Sequence, residues 1–171
     1  KKIRIPQKVN DFGIIHSMIN LTEVEISPKN KFYSTINGQI ITKKSNPDND
    51  EYDILYYVLS TVEDVFIPSY IKKIDSQAFN NKSKMRTIKF SNDSQIEVIA
   101  KNAFSNLNIT EIFIPKSVKI IEDFAFGYCY DLQKVEFAKD SKLEFIGQNS
   151  FSQSSIDAID IDGMLLILFT F

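Results

Sequence analysis

At 171 residues and 19.7 kDa, the chain has room for one ordinary domain or a short repeat array. Hydrophobic residues at 43% and charged residues at 25% exclude disorder, and 20 Lys plus Arg against 22 Asp plus Glu exclude a nucleic-acid binder that relies on a basic surface overall. One cysteine, one histidine and five glycines leave no intrachain disulfide, no cysteine or multi-histidine zinc set and no Gly-rich phosphate cradle.

The chain opens Lys1-Lys2-Ile3 without methionine and reads as a processed or excised piece. Residues 1–26 predict a degenerate first unit. Ile3 and Ile5 alternate as in a half-buried strand, and Pro6 stops that strand because it has no N–H to give to a ladder. Leu21, Val24 and Ile26 supply a second strand, with Val9, Phe12 and Ile14-Ile15 between the two. Residues 27–61 read as a β-rich insertion. Within 31–44, β-prone residues flank Asn37-Gly38, a strong short-range hairpin signal. The polar stretch 45–53, with Asn46-Pro47, predicts a loop, and 54–59 a further strand.

From 62 to 161 the pattern becomes regular. The triplet apolar-x-x-apolar-x-apolar appears as Val62/Val65/Ile67, Met85/Ile88/Phe90, Ile109/Ile112/Ile114, Leu132/Val135/Phe137 and Ile156/Ile159/Ile161. Its last position advances in steps of 23, 24, 23 and 24, a register that chance does not keep. Between triplets runs apolar-x-x-apolar-x-x-x-small-Phe: Ile71/Ile74/Ala78/Phe79, Ile96/Ile99/Ala103/Phe104, Val118/Ile121/Ala125/Phe126 and Leu143/Ile146/Ser150/Phe151. The alternating steps make the true unit a pair of repeats of about 47 residues. Each triplet predicts a short strand with one face inward, and each small-Phe pair a core anchor. The 3-and-4 spacing of the second pattern predicts a helical or 3₁₀ turn laid against the strands. A unit of this size buries its apolar face only by stacking on copies of itself, which makes a solenoid. The last segment, 162–171, is an apolar tail, too short for the roughly 20 apolar residues of a membrane span.

The string Ile114-Pro115, Val118, Ile121, Ala125-Phe126, Cys129, Leu132, Val135 and Phe137 resembles the consensus of BspA-like, Treponema-type leucine-rich repeats. The resemblance is specific over 62–161 and weaker before it. It implies a single α/β repeat solenoid over 1–171, with short parallel strands on the concave face and short helical or 3₁₀ turns opposite, interrupted by one β-hairpin insertion. It further implies a non-catalytic protein-interaction module of a microbial surface or secreted protein, adhering to host-surface or extracellular-matrix proteins or to host cells. The alternative is a cytoplasmic scaffold or regulatory subunit using the same face on a cellular partner.

Chemistry-bearing residues are few. His16 stands without a cysteine or carboxylate at ligand spacing and reads as a surface or edge histidine; Cys129 reads as a buried packing thiol rather than a nucleophile. Asp160 and Asp162 flank an inward residue and read as a solvated strand face. The sequence predicts no catalytic residue, metal site, cofactor or nucleic-acid partner. N-glycosylation triplets at Asn20, Asn81, Asn92 and Asn108 matter only if the chain is exported in a eukaryote. The remaining candidates are the residues that strand alternation turns outward. Between the last two apolar positions stand Phe66, Lys89, Phe113 and Glu136; two positions earlier stand Asp64, Thr87, Glu111 and Lys134. Two phenylalanines facing solvent inside a charged surround have the composition of a binding hot spot. The predicted partner-binding set is therefore Phe66, Lys89, Glu111, Phe113, Lys134 and Glu136.

Overall fold

The computed structural model describes residues 1–161 and 164–167, apart from Ile19 and Asn49. Its N-terminal part runs through β1 (Lys2–Ile5), a 3₁₀ turn (Gly13–Ser17), β2 (Glu23–Ile26), β3 (Tyr33–Ile36), β4 (Ile40–Lys43) and β5 (Ile54–Val58). Four-residue and two-residue strands then alternate: β6 (Asp64–Ile67), β7 (Lys73–Ile74), β8 (Thr87–Phe90), β9 (Val98–Ile99), β10 (Glu111–Ile114), β11 (Ile120–Ile121), β12 (Lys134–Phe137) and β13 (Phe145–Ile146). β14 (Ala158–Ile161) and β15 (Met164–Ile167) close the described part as an antiparallel pair. The long strands are the predicted triplets, and the short strands are the ends of the apolar-x-x-apolar pattern.

The expected helical turns are not there, and the α/β description gives way to a β-solenoid. Gly13–Ser17 is the only helical segment among the described residues. Instead β7, β9, β11 and β13 stack in parallel as a second sheet, with Ile74, Ile99 and Ile121 buried beneath it. The reason lies in the bend that follows. The residue before each small residue (Gln77, Asn102, Phe124, Asn149) and the second after each Phe (Asn81, Asn106, Tyr128, Gln153) has φ between 55 and 62°. A left-handed residue ends right-handed helical propagation. The freed N–H groups turn sideways to the next repeat: Phe79 donates to the Ala103 carbonyl at 2.8 Å, Phe104 to Ala125 at 2.8 Å and Phe126 to Ser150 at 2.7 Å. Asn suits this conformation better than other non-glycine residues, so the recurring asparagines mark the corners.

These corners aim the phenylalanines inward. Phe79, Phe104, Phe126 and Phe151 form a continuous buried ladder, with centroids 4.8, 5.1 and 5.1 Å apart and the last two pairs stacked. The ladder shares one buried core with the triplet residues Val65, Ile112 and Leu132 and with the second-sheet residues Ile74, Ile99 and Ile121.

The triplet strands do not make one continuous sheet. β1 pairs with β2, β6 with β8 and β10 with β12, all in parallel register, but no ladder joins β8 to β10. The pairs coincide with the 23-residue steps (67 to 90, 114 to 137) and the breaks with the 24-residue steps (90 to 114, 137 to 161). The pairing follows the 47-residue double unit seen in the sequence.

The insertion is part of the second sheet. β3 and β4 form the hairpin at Asn37-Gly38, whose φ values of 51 and 67° fit a type I′ turn. β5 joins β4 antiparallel and β7 parallel, with Leu55 opposite Ile74, so the order runs β13-β11-β9-β7-β5-β4-β3. The 45–53 loop is drawn in by Asp53, 3% exposed, which accepts from the Ser45 N–H at 2.8 Å and the Ser45 hydroxyl at 2.7 Å. Burial opposes that charge, but these hydrogen bonds prevail and hold the Asp53 carboxyl below its usual range. The Tyr57 hydroxyl donates to the Met18 carbonyl at 2.8 Å and ties the insertion to the first unit.

Candidate strand-face site

Each triplet strand holds two outward side chains, because its inward residues are committed to the core. Register sets them in rows: Asp64 faces Thr87, Phe66 faces Lys89, Glu111 faces Lys134 and Phe113 faces Glu136. The six residues singled out from the sequence are all solvent-exposed, with Phe66 at 59% and Phe113 at 47%. Neither ring is covered by the insertion, whose strands belong to the other sheet.

The break between β8 and β10 opens a cleft of about 310 Å³, lined on its two sides by Arg86, Thr87 and Lys89 and by Thr110, Glu111 and Phe113, with Lys134 and Glu136 beyond. Five of the six candidates thus gather at one cleft, and Phe66 stands beside it on β6 as the register partner of Lys89. Arg86 and Thr110 also line it. Sequence reasoning missed them because they follow the first triplet apolar, Met85 or Ile109, just ahead of the strand proper; that position is the signal that finds them.

The cleft is charged but largely self-neutralised. Arg86 lies 3.4 Å from Glu63, and Lys134 lies 2.8 Å from Glu136. The hydrogen bond that Lys134 donates to Glu136, and then the charge of that carboxylate, raise the Lys134 ammonium above its ordinary value. Asp64 accepts from the Thr87 hydroxyl at 2.5 Å. Such exposed pairs fix side-chain positions more than they stabilise the fold. The arrangement offers a shaped, mixed-charge surface with two aromatic rings.

The other chemical candidates sit apart from this face. Cys129 is fully buried, its thiol donating to the Phe104 carbonyl at 3.1 Å, and burial pushes its pKa up to about 11; it is a packing thiol. His16 departs from the surface reading. It is half-buried, its ring 5.2 Å from Tyr56 and 5.9 Å from Tyr57, and burial lowers its pKa. The insertion covers it, which its local sequence does not show. Asp160 is exposed, and Asp162 lies outside the described residues. Among the described residues no group of His, Cys, Asp and Glu could hold a metal ion, and no helix is long and apolar enough to cross a membrane.

The model of the BspA-type leucine-rich repeat region matches residues 52–168 in six copies. No curated protein matches the chain. Among solved structures it is similar to the pneumococcal vaccine antigen PcpA, at 27% identity over 90% of this chain, with a TM-score of 0.52. It shares its fold with a leucine-rich repeat protein from Eubacterium ventriosum, at 19% identity over 91% of this chain and a TM-score of 0.57. The chain spans only 32% of the first of these proteins and 59% of the second.

Proposed function

Because the chain belongs to the BspA-type leucine-rich repeat family, we propose that it is a non-catalytic protein-binding module that works through its triplet-strand face. The observation that carries this reading is the pair of exposed rings, Phe66 and Phe113, set beside a cleft in an otherwise charged sheet. Aromatic side chains lose little conformational entropy on contact and bury large area, so they concentrate binding energy. Lys89, Glu111, Lys134 and Glu136 form the polar rim, which orients the partner and adds little affinity alone.

Family and neighbours also support a setting for the module. Resemblance to BspA-like proteins and to a pneumococcal vaccine antigen supports a surface or secreted protein of a microbe, with host-surface or extracellular-matrix protein as the partner. Residues 1–171 act in this reading as a single leucine-rich-repeat domain, with the insertion as its flank. Direct binding tests it: the purified chain is titrated onto cultured epithelial cells and immobilised extracellular-matrix proteins. Saturable binding that mild trypsin treatment of the cells removes is the expected result. Binding that never saturates, or that survives trypsin, would overturn the reading.

A further inference from the structure

The charges around the β8–β10 cleft are unevenly compensated. Arg86 is paired with Glu63, and Lys134 lies between Glu136, at 2.8 Å, and the charge of Glu111. Lys89 has no carboxylate within ion-pair distance among the described residues. It is also the middle member of the row Phe66, Lys89, Phe113, so one exposed cation stands between two exposed rings.

We propose that this row recognises an acidic, extended segment of the partner protein: one Asp or Glu side chain on Lys89, with apolar side chains two positions before and after it on Phe66 and Phe113. The proposal rests on the protein-binding reading above. Order supports it. Phe66 and Lys89 are register partners, and Phe113 holds the same outward position on the next triplet strand. An extended segment laid across the strands turns every second side chain to one face, so its residues i−2, i and i+2 face ring, cation and ring in turn. Charge supports it as well. A basic side chain drawn to either ring would meet the Lys89 ammonium, so like-charge repulsion works against the cation–π alternative.

The test uses the full chain on an array of synthetic peptides with the core apolar-x-Z-x-apolar, where Z is Asp, Glu, Asn, Gln or Lys. Wild type is expected to retain Asp- and Glu-centred peptides at least about tenfold better than their Asn and Gln counterparts, a preference that fades as salt rises. Lys89→Glu, at an exposed position that leaves the melting curve in place, is expected to reverse the preference toward Lys-centred peptides. If wild type shows no acidic preference, or if Lys89→Glu leaves it unchanged, the acidic assignment is overturned. If in the latter case Phe66→Ala with Phe113→Ala still removes binding, the strand-face reading stands without it; if that variant also binds normally, both fail.

Discussion

Lys82 is 2% exposed, and its ammonium lies 3.9 Å from the centroid of the Tyr57 ring. The cation–π contact offsets part of the cost of taking the charge out of water. Burial nevertheless lowers the Lys82 pKa to about 8 from an ordinary value of 10.5. The consequence for stability has a definite sign. Between pH 8 and about 10, the unfolded chain still holds this proton while the folded chain releases it, so stability rises with pH. The slope from this one group approaches, as an upper limit, about 1.4 kcal/mol per pH unit. Above about pH 10, ionisation of tyrosines in the unfolded chain works the other way, because burial holds Tyr56 and Tyr57 protonated in the fold. Urea denaturation at pH 7.0, 8.5 and 9.5 should show a rising midpoint. Lys82→Met, which keeps the straight side chain and drops the charge, should flatten that rise and raise the midpoint at pH 7. A wild-type midpoint independent of pH over this window would mean that Lys82 is solvated as an ordinary lysine. The repeat register separates Lys82 from its exposed neighbour Lys84: it stands three residues after Phe79, the place that buried Leu107 and Cys129 hold after Phe104 and Phe126, and Tyr57 from the insertion packs against its ammonium.

At the scale of the elements, the phenylalanine ladder is the spine of the solenoid. Phe104 and Phe126 each contact a ring on both sides and are fully buried. Truncation of either to Ala opens a cavity that the stacked turns cannot collapse into, because their backbones are bonded to one another across repeats. Phe104→Ala and Phe126→Ala should each lower the unfolding free energy by roughly 3–5 kcal/mol. An unmoved chemical denaturation midpoint would contradict the ladder. The anchors were readable from sequence because their spacing is invariant, and the Asn37-Gly38 hairpin because its turn chemistry is specific. The form of the bends was not. Apolar residues 3 and 4 apart satisfy a helix period, yet they serve equally a two-residue strand followed by a corner. The distinguishing signal was the polar residue before the small one, asparagine in two of the four copies, and the left-handed conformation it adopts. Phe124 and Tyr128 hold the same left-handed positions in the third copy, with rings stacked at 6.3 Å, so that copy hides the signal altogether.

For the whole molecule, the double period seen in the sequence decides where the strand face is continuous and where it opens. The 23-residue steps close ladders and the 24-residue steps leave the break that forms the cleft beside Lys89 and Phe113. Strand alternation alone placed the six candidate side chains outward, since period two admits no other assignment once the apolar residues are inside. The cleft was not legible, because it depends on the distance between strands about 24 residues apart rather than on any residue within them. Nor was the docking of the insertion onto β7, which extends the second sheet and leaves the triplet face uncovered. The two faces therefore make an internal comparison. Phe66 and Phe113 are exposed on the triplet face, and Phe145, 54% exposed, is on the other. The most direct test is cell binding by Phe66→Ala/Phe113→Ala and by Phe145→Ala, each beside a thermal melt of the same preparation. The account predicts that the double variant loses binding with its melting temperature nearly unchanged, while Phe145→Ala binds as wild type does. Retained binding by a folded double variant, with loss in Phe145→Ala, would place the interaction on the opposite sheet and contradict it.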